Sequence, residues 1–271
     1  MTIKNLFKMG GSLNKRTATV FTVIGAFLLL LIWYGLTASG NIIPPKILPN
    51  PLKVFLSYGT LITEHNLFSN IFYTVKLNLL GYVYALALAL PLGFLIGLFP
   101  LPHALFQKYV EAIRYLPVPC ISGIFIATLG LGFTMKASFL AFGLLIYVLP
   151  VVILRISELQ NPSNDKDFVY LQTIKTLGAT NWQKFKEVYF PYVMGKVFND
   201  IINLTAISYT YVVIAEVLNK EGGIGASIAT LTRQSRIAEV YALLFVIILI
   251  GILQDFLLKT LDKLLFPYKY D

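Results

Sequence analysis

The sequence predicts an all-α integral membrane protein with six transmembrane helices, and two observations indicate this class. First, 57% of the 271 residues are hydrophobic and only 13% are charged, whereas soluble domains carry about 25% charged residues. So few charges cannot cover a water-exposed surface of this size, which excludes a soluble globular protein. Second, long apolar stretches recur along the chain, and no ten-residue alternating pattern typical of membrane strands repeats.

A helix that spans a bilayer needs about 20 mostly apolar residues. The third of the predicted spans is short and begins with Pro117 and Pro119, so we expect it to enter through an irregular segment. The first follows a long basic region, and we expect it to stay in the mature chain as an anchor. The six predicted spans are Val20–Leu36, Phe72–Leu98, Leu116–Leu131, Ala137–Ile156, Val193–Leu218 and Val240–Leu261.

The net charge of +9 is scattered between the apolar runs. This pattern favours basic loops that face anionic lipid over a nucleic-acid-binding surface. If the N-terminus is cytoplasmic, most Lys and Arg residues outside the spans fall on the cytoplasmic side, so we expect both termini there. We expect residues 1–44 to form a cytoplasmic tail and the first span. Residues 45–271 then form a core of five spans, which contains the long cytoplasmic loop 157–192.

Small residues follow one another at every fourth position of the second span. This spacing places them on one helix face, where another helix can approach closely. We expect packing within the chain, and a seam between two copies is the alternative. The residues are Gly81, Ala85, Ala89, Gly93 and Gly97.

The fifth span carries several polar residues, which are costly to expose to lipid and should face protein or a water-filled path. Two roles remain open for Asp200: an ion pair with Lys196 one turn away, or a place on a translocation path. The candidate path residues are Ser122 and Thr128 in the third span, with Asp200, Asn203, Ser208 and Glu216.

The sequence contains no catalytic or cofactor-binding motif, so we expect no enzyme activity and no cofactor. Its single cysteine, Cys120, excludes an intrachain disulfide, and its two histidines make a histidine-rich metal site implausible. It also lacks a phosphate loop, His-Glu-x-x-His and Gly-x-Ser-x-Gly. Any chemical energy that the protein uses must therefore come from another chain.

The loop 157–192 has the pattern of two short helices joined at a glycine. The first is predicted from about Lys166 to Leu177, and Gly178 ends it. Thr180-x-x-Gln183 predicts a capping box for the second helix, which we expect to end before Pro191. The first helix has an apolar side that must dock on a partner or lie on lipid headgroups. That side consists of Phe168, Leu171, Ile174 and Leu177.

This loop resembles the cytoplasmic motif of ABC importer permeases, which reads Glu-Ala-Ala, three residues, Gly, nine residues, then Ile-x-Leu-Pro. The spacing from Gly178 to Pro191 matches, although Gln172-Thr173-Ile174 stands in place of Glu-Ala-Ala. Other stretches resemble the branch that imports nitrate, sulfonates, taurine and related small solutes. They are Ile47-Leu48-Pro49-Asn50-Pro51, Arg114-Tyr115-Leu116-Pro117-Val118-Pro119, Ala215-Glu216 and Gly223-Ile224-Gly225.

The resemblance implies a type I importer (MetI-like) permease fold in the bacterial cytoplasmic (inner) membrane. It implies two permease copies in a homodimer, ATP-binding cassette ATPase subunits and an extracytoplasmic substrate-binding protein. The solute would be nitrate-, sulfonate-, taurine- or bicarbonate-like, or a heterocyclic nutrient. Residues 165–178 would form a coupling helix in a groove of the ATPase. The implied coupling residues are Phe168, Leu171, Gln172, Lys175, Gly178, Ala179 and Pro191.

Two other classes of function remain open. A self-sufficient secondary transporter or channel would use Asp200 and Glu216 as ion or proton sites, but it usually shows internal repeats, and no convincing repeat is found. A scaffold without transport activity would leave the polar face of the fifth span unexplained. Co-purification with an ATPase chain, and its loss when 165–178 is deleted, separates the importer from both.

Overall fold

The computed structural model describes residues 13–270 apart from 39, 41, 42, 162, 164 and 220. The predicted N-terminal tail therefore lies mostly outside the described residues. The described part of the chain is helical and contains no strand. It divides into two units, one of residues 1–64 with 231–242 and the other of residues 65–230 with 243–271.

The first unit contains α1 (Lys15–Ala38), α2 (Pro51–Thr63) and the beginning of α12 (Ile237–Leu265). Asn50 caps α2, since its side chain accepts a hydrogen bond of 2.9 Å from the backbone N–H of Leu52. The Tyr58 hydroxyl donates to the carbonyl oxygen of Ala242 at 3.1 Å, which ties α2 to α12. The helix α2 lies between the first and the second predicted span.

The second unit contains the remaining helices, except for the last three residues of the helix Ile224–Arg233, which belong to the first unit. A core of apolar residues joins its long helices. In chain order the helices of this unit are α3 (Leu67–Leu98), α4 (Pro100–Ala112), α5 (Ser122–Leu129), α6 (Phe133–Gln160), α7 (Asp165–Thr176), α8 (Asn181–Lys184), α9 (Phe190–Asn203), α10 (Thr205–Leu218) and α11 (Ile224–Arg233), followed by the rest of α12. The core is contributed mainly by α3, α6, α9 and α10.

Among the residues that the structure describes, four helices are long and apolar enough to cross a membrane by themselves: α1, α3, α6 and α12. Two bent pairs bring the number to six if each pair is one span, namely 100–115 with 118–129 and 181–203 with 205–218. The chain is therefore a multi-pass, all-α membrane protein.

The irregular entry expected for the third predicted span, Leu116–Leu131, is confirmed. Only α5, which is eight residues long, is α-helical there, and the two arms of the pair meet at 97°. Pro117 and Pro119 have no backbone N–H to donate, so the chain turns through short 3₁₀ segments before α5 begins. The preceding helix α4 was not predicted.

The predicted fifth span is also broken, with a bend of 55° between α9 and α10. The break falls at Leu204, whose backbone N–H is shared among the carbonyl oxygens of Asp200, Ile201 and Ile202. Such sharing is typical of a helix end. The polar residues predicted to face protein or water therefore flank a discontinuity in the span.

The stripe of small residues on α3 packs against α6 within the same chain, as predicted. A Cβ atom on Gly93 would lie only 2.7 Å from the Cβ atom of Val152. A Cβ atom on Gly97 would lie 2.5 Å from the Cδ1 atom of Ile156. Because real Cβ atoms essentially never approach so closely, these two glycines allow the helices their contact distance.

The prediction that the second short helix of the loop ends before Pro191 was wrong. Helical structure runs from Asn181 to Asn203 through a π-helical turn at Phe185–Tyr189. A proline inside an α-helix clashes with the carbonyl four residues earlier. The wider π turn lies immediately before Pro191, so the helix continues through that proline.

Candidate functional site

The helix α7 ends at the glycine that the sequence indicates. Gly178 has φ of +73°, in the left-handed region, and its N–H donates to the carbonyl oxygen of Lys175 at 3.0 Å. The N–H of Ala179 donates to the carbonyl oxygen of Ile174 at 3.3 Å. These two bonds cap the helix end and turn the chain toward α8, so the predicted bend at Gly178 is confirmed.

The predicted capping box at the start of α8 is also confirmed. The N–H of Gln183 donates to the hydroxyl oxygen of Thr180 at 3.3 Å, and the N–H of Thr180 donates to the Gln183 side-chain oxygen at 2.8 Å. Two backbone donors at the helix start are thereby satisfied. The turn between α7 and α8 is therefore fixed on both sides by local hydrogen bonds.

One side of α7 packs inward and the other is open. Leu171 is buried with 1% of its surface exposed, and Phe168 is half-buried. Leu177, predicted on the same apolar side, is 79% exposed, and Trp182 on α8 is 69% exposed. Of the other implied coupling residues, Gln172, Lys175 and Gly178 are exposed, whereas Ala179 and Pro191 are half-buried.

An aromatic cavity lies between the end of α3 and the segment 181–189. Its volume is about 700 Å³, and Lys175 and Lys184 contribute to its lining. Phe185 stacks on Trp182 at a ring-centroid distance of 5.5 Å and meets Phe94 edge-on at 5.2 Å. These contacts fix the position of the π-helical turn relative to α3.

Arg155 joins α6 to α9 through a bidentate ion pair. Its Nε donates to Oδ2 of Asp200 at 2.9 Å, and its Nη2 donates to Oδ1 of the same carboxylate at 2.8 Å. Its Nη1 also bonds both carboxylate oxygens of Glu158, at 2.8 and 2.9 Å. Of the two roles left open for Asp200, the ion pair with Lys196 is not formed, because the planar guanidinium of Arg155 forks onto the carboxylate from the neighbouring helix.

Lys196 instead connects α9 to α7. Its ammonium group donates to Oδ2 of Asp167 at 2.9 Å and lies 3.8 Å from a carboxylate oxygen of Glu158. The hydroxyl of Tyr192 donates to the same Asp167 oxygen at 2.7 Å. Residues Arg155, Glu158, Asp167, Lys196 and Asp200 therefore form one network, which we call the ionic cluster, that links α6, α7 and α9.

The C-terminal residues fold back on the start of α9. The hydroxyl of Tyr268 donates to the carbonyl oxygen of Pro191 at 2.6 Å, and the ammonium group of Lys269 donates to the carbonyl oxygen of Gly195 at 2.8 Å. Burial raises the pKa of Tyr268 above its ordinary value. Asp262 pairs with Lys269 at 2.6 Å. This clamp holds the helix that carries Lys196 and Asp200.

Glu216 organises the glycine-rich segment that follows its own helix. Its side chain is fully buried and accepts hydrogen bonds of 2.7 Å from the Thr74 hydroxyl and the Gly225 N–H. The N–H of Ile224 in turn donates to the Thr74 hydroxyl oxygen at 2.9 Å. Gly223 has φ of +100°, and a Cβ atom on it would clash with Oε1 of Glu216, so the segment passes the carboxylate only as glycine. The segment 221–225 is thus bonded to α3 and α10.

The other candidate path residues are not brought together at one point. Ser122 is half-buried at the start of α5, and the exposed Thr128 donates to the carbonyl oxygen of Ile124 in the same helix at 2.8 Å. Asn203 is exposed at the break between α9 and α10, whereas Ser208 is buried. The structure thus places Asp200, Asn203, Ser208 and Glu216 along one bent span and leaves the two α5 residues apart.

A buried polar cluster in the second unit was missed by the sequence analysis. The Asn78 amide nitrogen donates to the Ser208 hydroxyl oxygen at 3.2 Å and to Oε1 of Gln254 at 3.4 Å. The hydroxyl of Tyr209 donates to the same Gln254 oxygen at 2.7 Å. The available signal was one amide residue in each of two predicted spans, Asn78 in the second and Gln254 in the sixth.

Comparison with known proteins identifies the family. The sequence pattern of the binding-protein-dependent transport system inner membrane component matches residues 89–267. A probable ABC transporter permease protein of Brucella melitensis is 26% identical over 85% of this chain and 89% of its own length. A putative aliphatic sulfonates transport permease protein of Bacillus subtilis is 21% identical over 89% of this chain and 84% of its own.

A formylaminopyrimidine transport permease protein of Halalkalibacterium halodurans is similar over 90% of this chain and 94% of its own length, at 23% identity. The matched region begins inside α3 and extends to the C-terminal clamp, so it includes α7, the glycine turn and the ionic cluster. This chain belongs to the family of inner membrane components of binding-protein-dependent transport systems, and it is the transmembrane subunit of an ABC importer for a small solute.

Proposed function

We propose that this subunit receives its driving force from separate ATPase subunits that dock on residues 165–182. It works as one of two identical copies in the bacterial inner membrane, with both termini in the cytoplasm, and takes its solute from an extracytoplasmic binding protein. Closure of the ATPase pair moves the two loops together and switches the path between outward and inward openings, a rigid-body form of alternating access.

The exposed apolar rim around the glycine turn is the observation that carries this proposal. Leu177 and Trp182 project from either side of a turn that two sets of local hydrogen bonds hold in place. Large apolar side chains in such a position are typical of an interaction surface. Leu171 anchors the opposite side of α7 within the chain, so a force applied to the rim moves the whole helix.

The ionic cluster connects a movement of α7 to the helices of the membrane-spanning region. A displacement of α7 is transmitted to α9 through the bond between Asp167 and Lys196, and from α9 to α6 through the bidentate pair of Asp200 and Arg155. Both partners of the second pair are largely shielded, with 20% and 24% of their side-chain surface exposed. Shielded, hydrogen-bonded pairs hold their geometry better than isolated surface pairs.

The solute is proposed to be a small organic molecule. The names of two relatives indicate aliphatic sulfonates as the solutes of one and formylaminopyrimidine as the solute of the other. A sulfonate is a sulfur-containing anion, and formylaminopyrimidine is a heterocycle. We retain the proposal that the path is lined by residues of α5, α9 and α10. These are Ser122, Thr128, Asp200, Asn203, Ser208 and Glu216.

Leu177→Asp is expected to abolish co-purification of the ATPase subunit with this chain, because a charge then replaces an apolar contact at the centre of the rim. The matched control is Leu264→Asp, which places the same charge on a leucine that is 72% exposed near the end of α12. The two proteins are co-expressed, and the ATPase retained after affinity purification in detergent is measured. Undiminished retention in Leu177→Asp, or equal loss in the control, contradicts docking at this rim.

A further inference from the structure

We propose that the buried polar cluster of α3, α10 and α12 is a binding site for an uncharged solute that carries a hydrogen-bond donor beside an acceptor. This inference rests on the proposed function and adds the chemical class that the path accepts. The site is formed by Asn78 and Tyr82 on α3, Thr205, Ser208 and Tyr209 on α10, and Gln254 on α12. All six are buried.

Four polar atoms of this cluster have no hydrogen-bond partner in the described part of the chain. They are Oδ1 of Asn78, the hydroxyl of Tyr82, Oγ1 of Thr205 and Nε2 of Gln254. Buried polar groups are nearly always paired, and a group of unpaired ones requires an explanation. One amide offers a free acceptor and the other a free donor, while the two hydroxyls can serve as either.

The cluster lies where the fifth span is discontinuous. Thr205 is the first residue of α10, directly after the break at Leu204. Thr205 and Tyr209 also line a groove of about 490 Å³, together with Asn203 and residues of α12 that include Gly251 and Asp255, whose carboxylate pairs with Lys259 at 2.7 Å. Broken helices in transporters typically provide solute sites near the middle of the membrane. The groove therefore borders two of the six cluster residues, and Tyr209 connects it to Gln254 through the hydrogen bond of 2.7 Å.

The chemistry of the cluster selects an uncharged solute. None of the six side chains is ionic, and the hydrogen bonds that they form within the described residues all go to neutral groups. An anion placed here would lose its hydration without gaining a cationic partner, which is strongly unfavourable. An amide or an aminopyrimidine edge presents a donor next to an acceptor. These would pair with the unpaired acceptor of Asn78, Oδ1, and the unpaired donor of Gln254, Nε2.

The test uses the complete transporter in proteoliposomes with one introduced thiol. Cys120→Ser removes the only cysteine, which is exposed, and Thr205→Cys replaces a hydroxyl that has no partner. The rate of modification by N-ethylmaleimide is measured with 2-aminopyrimidine, with ethanesulfonate, or with neither. We expect 2-aminopyrimidine to slow modification several-fold and ethanesulfonate to leave it unchanged. Asn78→Leu should remove the protection by 2-aminopyrimidine. If the Asn78→Leu variant does not insert into the membrane, Gln254→Met is tested in its place, with the same expected result.

Leu249→Cys is the matched control, since Leu249 is 64% exposed on α12 and neither compound should protect it. The inference is overturned if the thiol of Thr205→Cys does not react, if 2-aminopyrimidine gives no protection, or if ethanesulfonate protects equally. The ATPase content of the same sample is measured separately. Absence of protection with the ATPase bound refutes this site alone, whereas absence of the ATPase refutes the proposed function.

Discussion

Gly178→Val is expected to uncouple solute uptake from ATP hydrolysis while the chain still inserts into the membrane. Gly178 has φ of +73°, and a left-handed backbone costs an L-residue about 1–2 kcal/mol, more for a β-branched one. Apart from Gly178 itself and its two chain neighbours, no atom lies within 4 Å of the position that a Cβ would take, so the strain is in the backbone alone. The loop relieves it by changing the angle between α7 and α8. Uptake per ATP hydrolysed should then fall about tenfold.

Gly178→Asn is the matched control, because asparagine tolerates the left-handed conformation best among the larger residues. Solute uptake and ATP hydrolysis are measured in the same proteoliposomes for both variants. We expect the asparagine variant to stay close to the unmodified protein in the ratio of solute moved to ATP hydrolysed. Normal uptake in Gly178→Val would show that the angle at this turn does not matter for coupling.

Arg155→Leu is expected to destabilise the protein and to stop transport. It leaves the carboxylates of Asp200 and Glu158 without the guanidinium that bonds both of them at 2.8 to 2.9 Å. Breaking a shielded ion pair by removing one partner costs about 3 kcal/mol. The midpoint of thermal unfolding in detergent should fall by several degrees, and the contact between α6 and α9 should no longer transmit movement.

Arg114→Leu is the control, since Arg114 is exposed and its one described hydrogen bond, to the carbonyl oxygen of Glu111, is 3.3 Å long. It should change neither unfolding nor transport. Arg155→Lys should retain only part of the thermal stability and of the transport activity of the unmodified protein, because an ammonium group cannot form two parallel hydrogen bonds to a carboxylate. Equal unfolding midpoints for Arg155→Leu and Arg114→Leu would contradict a structural role for the ion pair of Arg155 and Asp200.

Hydrophobic length and local turn chemistry predicted most of the fold. The long apolar runs gave the four continuous spans, the spacing of Gly81, Gly93 and Gly97 predicted the contact of α3 with α6, and Gly178 with Thr180 located the turn of the loop. These features depend on neighbours in the sequence or on one helix face. The break at Leu204 and the passage of a helix through Pro191 were not predicted, because both depend on packing by other helices.

The partners of the candidate site residues could be predicted from the sequence less well than the helices. The one-turn separation of Asp200 and Lys196 made an ion pair between them one of two open roles, but the actual partner of Asp200 is Arg155, 45 positions away. The polar cluster likewise joins Asn78 to Ser208 and Gln254 across three helices. Such partners share no sequence signal, since only the tertiary fold brings them together. The path roles of all six candidate residues stay predictions: Ser122, Thr128, Asp200, Asn203, Ser208 and Glu216.

Solute accumulation in proteoliposomes tests the central claim most directly. Vesicles are prepared with this chain alone and with its ATPase subunit, each with the solute-binding protein added and with or without ATP. Accumulation against a gradient is predicted only when the ATPase subunit and ATP are both present. Accumulation by vesicles that contain this chain alone, without nucleotide, would contradict the claim that the driving force enters through the loop around Gly178.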